Sequence, residues 1–428
     1  MAPSPRAFLK ELFDTAVAAA HPASFSAHWP APPPGRLIIL AAGKAAGSMT
    51  EAAEKHYLDG LKLAADRLTG VAVARHGYGR PTRVVKMIEA GHPIPDAAGL
   101  EAADRALKLA DSAGSDDLVL VLMSGGASAN WIAPAAGVPF EDKQAVTRAL
   151  LRSGANIGEI NTVRKHLSRI KGGRLARHAY PARLVTLAIS DVPGDNPSAI
   201  GSGPTVPDPT TLADARAIVA RYKLVLPESV MRALNDANNE SPKPGDAVFA
   251  GTQFTIAAKP ADAIKAAERA VRAAGYDCVA LGANLEGEAR AVAAEQARLA
   301  RELQAQGKRA VILSGGELTV TIRGKGRGGP NQEYALALAL ALAGTSGISA
   351  LAADTDGTDG GAGSASDPAG AYAASDTVTR AKALGLDTAA FLADNNSTGF
   401  FTKTGDLLMT GPTFTNVNDF RAIVVDTA

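Results

Sequence analysis

The sequence contains a single cysteine, Cys278, which excludes an internal disulfide and a cysteine-based metal cage. Aromatic residues make up only 5% of the chain, and 44 Lys and Arg residues nearly balance 43 Asp and Glu residues. Nucleic-acid binding normally requires a basic surface and aromatic stacking platforms, so this composition argues against nucleic acid as the main partner. No apolar run reaches about 18 residues, which argues against a membrane-spanning helix.

The seven histidines include no H-x-x-x-H pair, and no Ser/His/Asp arrangement for nucleophilic catalysis is readable. We therefore interpret His92 and His166 as hydrogen-bonded structural residues. The first 25 residues are interpreted as an amphipathic helix and not as an export signal, because Glu11 and Asp14 precede their short apolar run. These features predict a cytoplasmic protein, and 428 residues are enough for two or three domains.

Apolar runs of strand length that end in glycine or another small residue alternate with helical stretches along the chain. This alternation is typical of an α/β protein with mainly parallel sheets. A polar Pro/Gly stretch at residues 241–246 indicates a boundary. We predict a Rossmann-like doubly wound N-terminal domain over residues 1–240 and a smaller α/β domain with a mixed sheet over residues 246–428. The strand-like runs lie at 37–42, 71–74, 118–123, 184–189, 279–281, 310–313 and 348–353.

Ligands of doubly wound sheets collect beyond the carboxyl ends of the strands, so the loops there are candidate binding sites. Gly43 and Lys44 follow the first run. Lys44 could meet an anion held at a helix N-terminus, although a solvated lysine at a helix start is the alternative. The loop is not a P-loop, because position 38 is Ile and Lys44 is followed by Ala.

A second loop of small residues follows the run 118–123. It contains Ser124, Gly125, Gly126 and Ser128, whose backbone N–H groups and hydroxyls could converge on phosphate or carboxylate oxygens. A tight strand-to-helix turn is the alternative interpretation. The similar segments VLMSGG (121–126) and VILSGG (311–316) are interpreted as a coincidence of architecture, with a distant duplication as the alternative.

Charged residues follow the run 184–189 and also precede it. Asp191 and Asp195 lie in a rigid Pro/Gly loop and could hold Mg²⁺ or serve as a base, although Asp also favours turns. Arg164, Lys165 and Lys171 could form a solvated helix face or contact a substrate carboxylate.

The second half of the chain carries a glycine-rich cationic segment. Residues 318–323 alternate between apolar and polar, which predicts a half-exposed antiparallel strand. The following G-x-G-x-x-G, residues 324–329, contains Lys325 and Arg327, which we interpret as a cationic clamp for polyphosphate. A dinucleotide-binding turn and a solvated hairpin turn are the alternatives.

An acidic loop follows the run 348–353 and contains Asp354 and Asp356. It resembles a calcium loop only superficially, because position 365 is Ala where a bidentate Glu would be required. A loop that holds Mg²⁺ or substrate hydroxyls fits better. The polar segment 394–399 is either a binding loop or a turn.

Taken together, these segments resemble the glycerate 2-kinase family, whose members also carry the older name hydroxypyruvate reductase. The resemblance implies two α/β domains with the active site in the cleft between them. It also implies ATP-dependent phosphorylation of D-glycerate at its 2-hydroxyl, with Mg²⁺. The matching pieces are AAGKAAGSM (41–49), GHPIPD (91–96), LMSGGAS (122–128), NTVRKHLSRIKGGRLA (161–176), SDVPGDNPSAIGSGPTVPDPTT (190–211), GGELTV (315–320), GKGRGGPNQE (324–333), DTDGTDG (354–360) and GPTFTNVNDF (411–420).

Phosphoryl transfer depends on positioning and on cations around the transferred group, which suggests roles for these residues. Lys44, Arg327 and Asp191 are the candidate catalytic residues: the two cations stabilise the phosphoryl group, and Asp191 orients the substrate hydroxyl or binds metal. The candidate metal ligands are Asp195, Asp354 and Asp356. The candidate substrate- or nucleotide-binding residues are Gly43, Ser124, Gly125, Gly126, Ser128, Glu317, Lys325, Asn331 and Gln332.

Two other functions remain open from the sequence. One is an NAD(P)H-dependent hydroxypyruvate reductase, which would need a dinucleotide fingerprint. The other is a non-enzymatic protein that binds small anions, which is disfavoured because acids and bases both crowd the strand ends. The expected partners are glycerate and ATP, with no nucleic acid and no membrane, and the expected assembly is a monomer or homodimer.

Overall fold

The computed structural model of the protein describes residues 4–361 and 363–426. It divides into two compact units. The first unit comprises Phe25–Ala257, and the second comprises the described residues up to Ser24 together with those from Ala258 onward. The first helix, α1 (Pro5–Ala20), therefore belongs to the second unit.

The first unit is built on a six-stranded sheet. Its strands are β1 (Leu37–Ala42), β2 (Leu68–Arg75), β3 (Lys86–Ala90), β4 (Leu118–Met123), β5 (Arg183–Ile189) and β6 (Thr252–Ala258). They lie in the order β3-β2-β1-β4-β5-β6, and β1 to β5 pair in parallel. Every residue of β1 and β4 is buried, as predicted for strands covered on both faces.

Eight α-helices accompany this sheet. They are α2 (Ala46–Glu54), α3 (Ala97–Asp111), α4 (Ala127–Asn130), α5 (Phe140–Arg152), α6 (Ile157–His166), α7 (Arg174–Ala179), α8 (Leu212–Arg221) and α9 (Glu228–Asn235). Helices α5, α6, α8 and α9 share an apolar core of their own, which includes Leu150, Val163, Val219 and Leu234. A π-helical turn, Lys55–Gly60, continues α2, and short 3₁₀ helices occupy Pro22–Ala27, Ala65–Arg67, Pro193–Asp195, Ile200–Ser202, Ala237–Asn239 and Ala247–Phe249.

The second unit contains a mixed six-stranded sheet, as predicted. The strands of this unit, in chain order, are β7 (Asp277–Ala280), β8 (Gly287–Glu288), β9 (Ala310–Gly316), β10 (Leu318–Thr319), β11 (Ile348–Asp354), β12 (Gly370–Ala374), β13 (Leu407–Leu408) and β14 (Asp419–Val425). Strands β8 and β10 form a separate two-stranded pair, and the other six form the mixed sheet. The sheet order is β13-β12-β11-β14-β9-β7. Strand β14 is antiparallel to both β9 and β11, whereas β7 is parallel to β9.

The remaining helices belong to this second unit: α10 (Pro260–Ala273), α11 (Ala289–Ala305), α12 (Pro330–Ala341), α13 (Thr377–Ala383), α14 (Thr388–Ala393) and α15 (Ser397–Thr404). The prediction of an antiparallel strand over 318–323 was wrong. Only β10 forms a strand there, and it pairs in parallel with β8 through Leu318 and Gly287. The alternation of apolar and polar residues reflects an exposed connection, because Thr321, Ile322 and Arg323 are exposed.

The two units differ from the predicted division in two places. The first sheet gains β6 after the polar stretch 241–246, so that stretch precedes the last strand of the first unit. Helix α1 packs on the second sheet because its buried face, spaced by three and four residues, meets aromatic partners there. Phe8 stacks on Tyr276 at 5.3 Å between ring centroids, and Phe13 packs edge-on against Phe420.

Among the residues that the structure describes, no helix combines the length and hydropathy needed to cross a membrane.

Candidate active site

The loops after β1 and β4 contact each other in the first unit. The backbone N–H of Lys44 donates to the carbonyl oxygen of Gly125 at 2.8 Å, and the N–H of Ala45 donates to Ser124 Oγ at 2.9 Å. Strands β1 and β4 are neighbours at the point where the strand order reverses. In open α/β sheets this switch point is where ligands bind, so the geometry supports a ligand site at these loops.

Gly126 brings side chains close to the backbone of this site. It has a positive φ of 86°, and a Cβ placed on it would lie 3.1 Å from His92 Nε2 and 3.4 Å from Lys44 Cγ. Lys44 and His92 therefore flank the same glycine. Sequence analysis had interpreted His92 as a structural residue only. The signal that could have placed it at this site is the segment GHPIPD (91–96), which is part of the family resemblance.

The two serines of the small-residue loop have different roles. Ser124 is fully buried, and its hydroxyl accepts the N–H of Ala45, so it organises the loop from inside. Ser128 Oγ instead accepts from Arg164 Nη2 at 3.1 Å and from Lys171 Nζ at 2.8 Å. The structure thus joins Ser128 to two cations that sequence analysis had left as either a solvated face or a carboxylate contact. The solvated-face interpretation was wrong for Lys171, which is 1% exposed.

Asp191 and Asp195 follow β5, the strand next to β4. Both are half-buried, and Asp195 ends the 3₁₀ helix Pro193–Asp195 with a positive φ of 54°. Because β1, β4 and β5 run in parallel, Lys44, the Ser124 loop and Asp191 all lie at the same edge of one sheet. His166 is hydrogen-bonded inside the unit instead. It is fully buried, with Nδ1 2.8 Å from the Thr162 carbonyl oxygen and Nε2 3.0 Å from Glu240 Oε1.

The second unit has its own group of strand-end residues. Across β9, β14 and β11, Gly316 pairs with Asp419 and Asp419 pairs with Asp354 in register. Glu317 follows β9 directly and is exposed. The carboxyl ends of β9 and β11 therefore meet at the start of β14, which places three acidic residues at one edge of this sheet.

The acidic loop after β11 is held by its own hydrogen bonds. Asp354 Oδ1 accepts the N–H of Asp356 at 2.8 Å, and Asp356 Oδ1 accepts from the N–H and the hydroxyl of Thr358. Asp354 is half-buried, whereas Asp356 is 1% exposed. Within the described ranges, no three His, Cys, Asp or Glu side chains come together as a preformed metal cage.

Asp359 in the same loop anchors helix α12. Its carboxylate accepts the backbone N–H groups of Asn331 at 3.0 Å and Gln332 at 2.8 Å, two donors of the first helical turn. Burial raises the pKa of Asp359 and the Asp419 carboxylate adds to the rise, whereas the N–H groups of Asn331 and Gln332 oppose it. The resulting pKa is about 7.

The side chains of Asn331 and Gln332 also bond inside the unit. Asn331 Nδ2 donates to Asp419 Oδ1 at 2.6 Å, and Gln332 Nε2 donates to Asp359 Oδ2 at 3.0 Å. Thr398 Oγ1 donates to Gln332 Oε1 at 2.7 Å. Both side chains are at most 1% exposed. These internal partners differ from the ligand contacts predicted for Asn331 and Gln332.

The glycine-rich segment 324–329 has a fixed backbone and exposed cationic side chains. Lys325 N–H donates to Asp394 Oδ1 at 2.9 Å, and the carbonyl oxygen of Arg327 accepts the N–H of Thr398 at 2.9 Å. Segment 394–399, interpreted from sequence as a binding loop or a turn, is thus the support of the glycine segment. The Arg327 side chain is 72% exposed, and its Nη2 lies 4.0 Å from Asp367 Oδ1.

The fold and the strand-end loops define a two-unit α/β protein with small-residue and cationic loops of the kind that bind anions. Residues 8–235 match the family described as "Domain of unknown function (DUF4147)", and residues 310–419 match the family described as "MOFRL family".

The chain is similar to several named proteins and to solved structures. The chain is 39% identical to a D-glycerate 2-kinase of Thermotoga maritima, over 90% of this chain and 89% of the relative. It is 47% identical to an Agrobacterium vitis protein named "Putative hydroxypyruvate reductase", over 99% of this chain and 95% of that protein. The crystal structure of glycerate kinase from Thermotoga maritima superimposes with a TM-score of 0.86 at 35% identity, covering 98% of this chain and 100% of the other. The chain therefore belongs to the glycerate 2-kinase family, and this confirms the resemblance inferred from sequence.

Proposed function

We propose that this chain transfers the γ-phosphoryl group of ATP to the 2-hydroxyl of D-glycerate, forming 2-phosphoglycerate and ADP, with Mg²⁺. The observation that carries the proposal is the position of Lys44 at the sheet's switch point, against the small-residue loop that follows β4. The glycerate kinase names of the relatives support the same reaction.

The strand-end residues supply the parts that phosphoryl transfer needs. The 2-hydroxyl oxygen of glycerate attacks the γ-phosphorus, the bond between that phosphorus and the bridging oxygen breaks, and ADP leaves. Lys44 neutralises charge on the oxygens of the transferred group. Asp191, which follows β5 at the same sheet edge, accepts the proton of the attacking hydroxyl.

Arg327 is the second proposed catalytic cation. Its backbone is fixed by Thr398, while its guanidinium is mostly exposed and has a long ion-pair distance to Asp367. Such a pair contributes little stability, so the side chain can leave Asp367 for phosphoryl oxygens at low cost. Lys325 and Glu317, which are also exposed, are proposed to contact the substrates.

The carboxylates at the strand ends fit a magnesium ion. Mg²⁺ takes one or two carboxylates together with phosphate oxygens and waters, so a three-ligand cage is not required. Asp354 suits this role better than Asp356, because Asp356 is 1% exposed and binds Thr358. Asp191 and Asp195 offer half-buried carboxylates at the first sheet. When bound, the ion neutralises charge on the phosphate oxygens.

The reductase name of the Agrobacterium vitis relative, together with the strand order of the first sheet, favours a second candidate function. That order is common to dinucleotide-binding folds, and the candidate is NAD(P)H-dependent reduction of hydroxypyruvate. Its weakness is the first strand-to-helix turn, which reads AAGKAAGS and lacks the G-x-G-x-x-G spacing. The segment 324–329 has that spacing but follows an exposed connection instead of a buried parallel strand.

One experiment separates the two functions. Purified protein is incubated with D-glycerate, ATP and Mg²⁺, and enolase is added to convert 2-phosphoglycerate, but not 3-phosphoglycerate, into phosphoenolpyruvate. A parallel reaction contains hydroxypyruvate and NADH or NADPH. Phosphoenolpyruvate that appears without a mutase supports the proposed regiochemistry, and Lys44→Ala provides the inactive control. Oxidation of the nicotinamide cofactor with no phosphoenolpyruvate would reverse the assignment.

We propose a cytoplasmic enzyme that acts as a monomer or homodimer, and sedimentation at several protein concentrations distinguishes the two assemblies.

A further inference from the structure

A group of four buried or half-buried cations in the first unit has fewer carboxylate partners than cations. Lys143, Lys165 and Lys171 are at most 5% exposed, and Arg164 is half-buried nearby. Lys165 is paired with Asp208 at 3.4 Å. Among the residues that the structure describes, no carboxylate oxygen lies within 4.0 Å of Lys143, Arg164 or Lys171. Burying a charge without a partner is costly, so this arrangement needs an explanation.

Lys143 has a structural explanation. Its Nζ donates to the carbonyl oxygens of Arg164 at 2.9 Å and Leu167 at 3.0 Å. These acceptors lie at the C-terminal end of helix α6, where carbonyl oxygens lack helical partners and attract cations. Lys143 therefore stabilises the end of α6, and Arg164 and Lys171 remain to be explained.

Arg164 and Lys171 meet at one neutral hydroxyl. Arg164 Nη2 and Lys171 Nζ both donate to Ser128 Oγ, and Lys171 Nζ also donates to the carbonyl oxygen of Ser128 at 2.7 Å. The two cations fill the acceptor sites of the hydroxyl, so its proton is donated to Ser202 Oγ at 2.7 Å. A carboxylate or phosphate oxygen would be a much stronger acceptor for the same two donors.

The electrostatics of Lys171 agree with this geometry. Burial lowers the pKa of Lys171 well below its ordinary value, and the positive charges of Arg164 and Lys143 lower it further. An anion bound between Arg164 and Lys171 would offset both effects.

Arg164 can be reached from outside. It lines a cavity of about 340 Å³ whose walls also include Ala129, the neighbour of Ser128. Ile94, Leu151 and Ile157 line the same cavity and are 64–75% exposed, so it opens to the surface. A small ligand can therefore approach the guanidinium without unfolding the unit.

We infer that Ser128, Arg164 and Lys171 form an anion subsite that binds the carboxylate of glycerate or a phosphate of ATP. The inference rests on the proposed function and deepens it, because it adds cations beyond Lys44 and Arg327 that hold a substrate without touching the transferred group. The planar fork of Arg164 suits bidentate binding, and Lys171 supplies a point charge.

The test measures binding to the full chain by titration calorimetry with three separate ligands: D-glycerate, a non-hydrolysable ATP analogue and inorganic phosphate. Arg164→Met should weaken binding of D-glycerate or of the ATP analogue by about 10- to 100-fold, since charged hydrogen bonds are lost. Arg169→Met is the matched control. Arg169 lies on the same segment, but its exposed guanidinium bonds to Asp104 and the Pro134 carbonyl oxygen. Its loss should leave all three affinities unchanged.

The pattern of losses identifies the ligand group. Loss for D-glycerate alone assigns the subsite to the carboxylate, and loss for the ATP analogue alone assigns it to a phosphate. Arg164→Lys, which keeps the charge without the fork, should lie between wild type and Arg164→Met. The melting temperature of Arg164→Met should stay within a few degrees of wild type. If that variant does not fold, Lys171→Met repeats the test.

The failure of this inference can be separated from the failure of the proposed function. Wild-type affinities in both Arg164→Met and Lys171→Met, or a wild-type protein that binds none of the ligands, would overturn the subsite. If Arg164→Met binds phosphate more weakly than the wild type, but the wild type does not phosphorylate glycerate, the subsite stands and the proposed reaction is rejected.

Discussion

The segments VLMSGG and VILSGG are identical at four of six positions but have different surroundings in the two units. In the first unit, Ser124 begins a loop between two parallel strands, and Gly126 lies against Lys44 and His92. In the second unit, Ser314 and Gly316 are still part of β9, paired with the antiparallel strand β14.

The difference comes from the neighbouring strand. A parallel neighbour ends at the same edge, so the first SGG segment meets the loop that follows β1. An antiparallel neighbour begins at that edge, so the second meets the start of β14. Arg421 on β14 donates to Ser314 Oγ at 3.3 Å and to the Gly315 carbonyl oxygen, and it pairs with Asp419 at 2.9 Å. The first motif therefore contacts a neighbouring loop, and the second contacts a buried ion pair.

The largest expected effect is on stability in the second unit. Arg421→Met leaves the buried Asp419 carboxylate uncompensated, which should reduce the free energy of unfolding by about 3–5 kcal/mol. Urea denaturation measures it. The double variant Arg421→Met/Asp419→Asn removes the orphaned charge and should recover a large part of the loss. If the double variant is as unstable as Arg421→Met, the ion pair is not the cause.

The matching change in the first unit should affect catalysis and not stability. Lys44→Met should lower kcat by roughly 10²–10³, the loss typical of one transition-state donor, with little change in melting temperature.

In the second unit, Arg327→Ala should lower kcat to a similar extent, and Arg327→Lys should recover little because lysine lacks the planar fork. Wild-type glycerate phosphorylation by Arg327→Ala would transfer the role to Arg323 or Lys325.

A double-mutant cycle shows whether the two cations act together. If Lys44 and Arg327 stabilise the same phosphoryl group, the combined loss in Lys44→Met/Arg327→Ala should be well below the product of the single losses. Simple multiplication of the single losses would indicate that the two residues act independently.

Seven strands, β1, β2, β4, β5, β7, β9 and β11, could be predicted from sequence, because apolar runs that end in small residues are local signals. Strands β3, β6, β8, β12, β13 and β14 were not predicted. The loop positions of Lys44, Ser124 and Asp191 at one sheet edge followed from the parallel pattern alone. Three features could not be read in this way. The placement of α1, the support of segment 324–329 by segment 394–399 and the contact of Ser128 with Arg164 all depend on residues far apart in the chain.

Burial explains the other differences from expectation. Asn331 and Gln332 follow a glycine segment, which made them candidate ligands. The side-chain amides of both instead donate hydrogen bonds to Asp359. A polar residue at a helix start has the same local pattern in either role. Only the position of the acidic loop against α12 distinguishes them, and that position is a tertiary contact.

Substitution of one glycine in each motif should have a smaller and unequal effect. Gly126→Ala should reduce the free energy of unfolding by about 1–3 kcal/mol because alanine is strained at this positive φ. Crowding should add little, since the atoms nearest the new methyl belong to the movable side chains of His92 and Lys44. Gly316→Ala should cost more, because its Cβ would overlap the backbone of Leu285. Chemical denaturation ranks the two, and Gly307→Ala, at a positive φ of 67° without close neighbours, gives the strain alone. Equal losses in all three variants would show that crowding plays no part.

The smallest effect is a pH dependence that arises in the second unit. Asp359 has a folded-state pKa of about 7, raised chiefly by burial, against about 3.9 in an unfolded chain. The folded protein therefore binds more protons than the unfolded one between these values, and stability contributed by this group falls as pH rises through about 7. The free energy of unfolding of the wild type, taken relative to Asp359→Asn, should decrease between pH 5 and 7 by at most about 1.4 kcal/mol per pH unit. Urea denaturation at several pH values measures this, with Asp277→Asn, an exposed carboxylate on β7, as the control that keeps the wild-type slope. A constant difference between wild type and Asp359→Asn across this range would mean that Asp359 is ionised throughout.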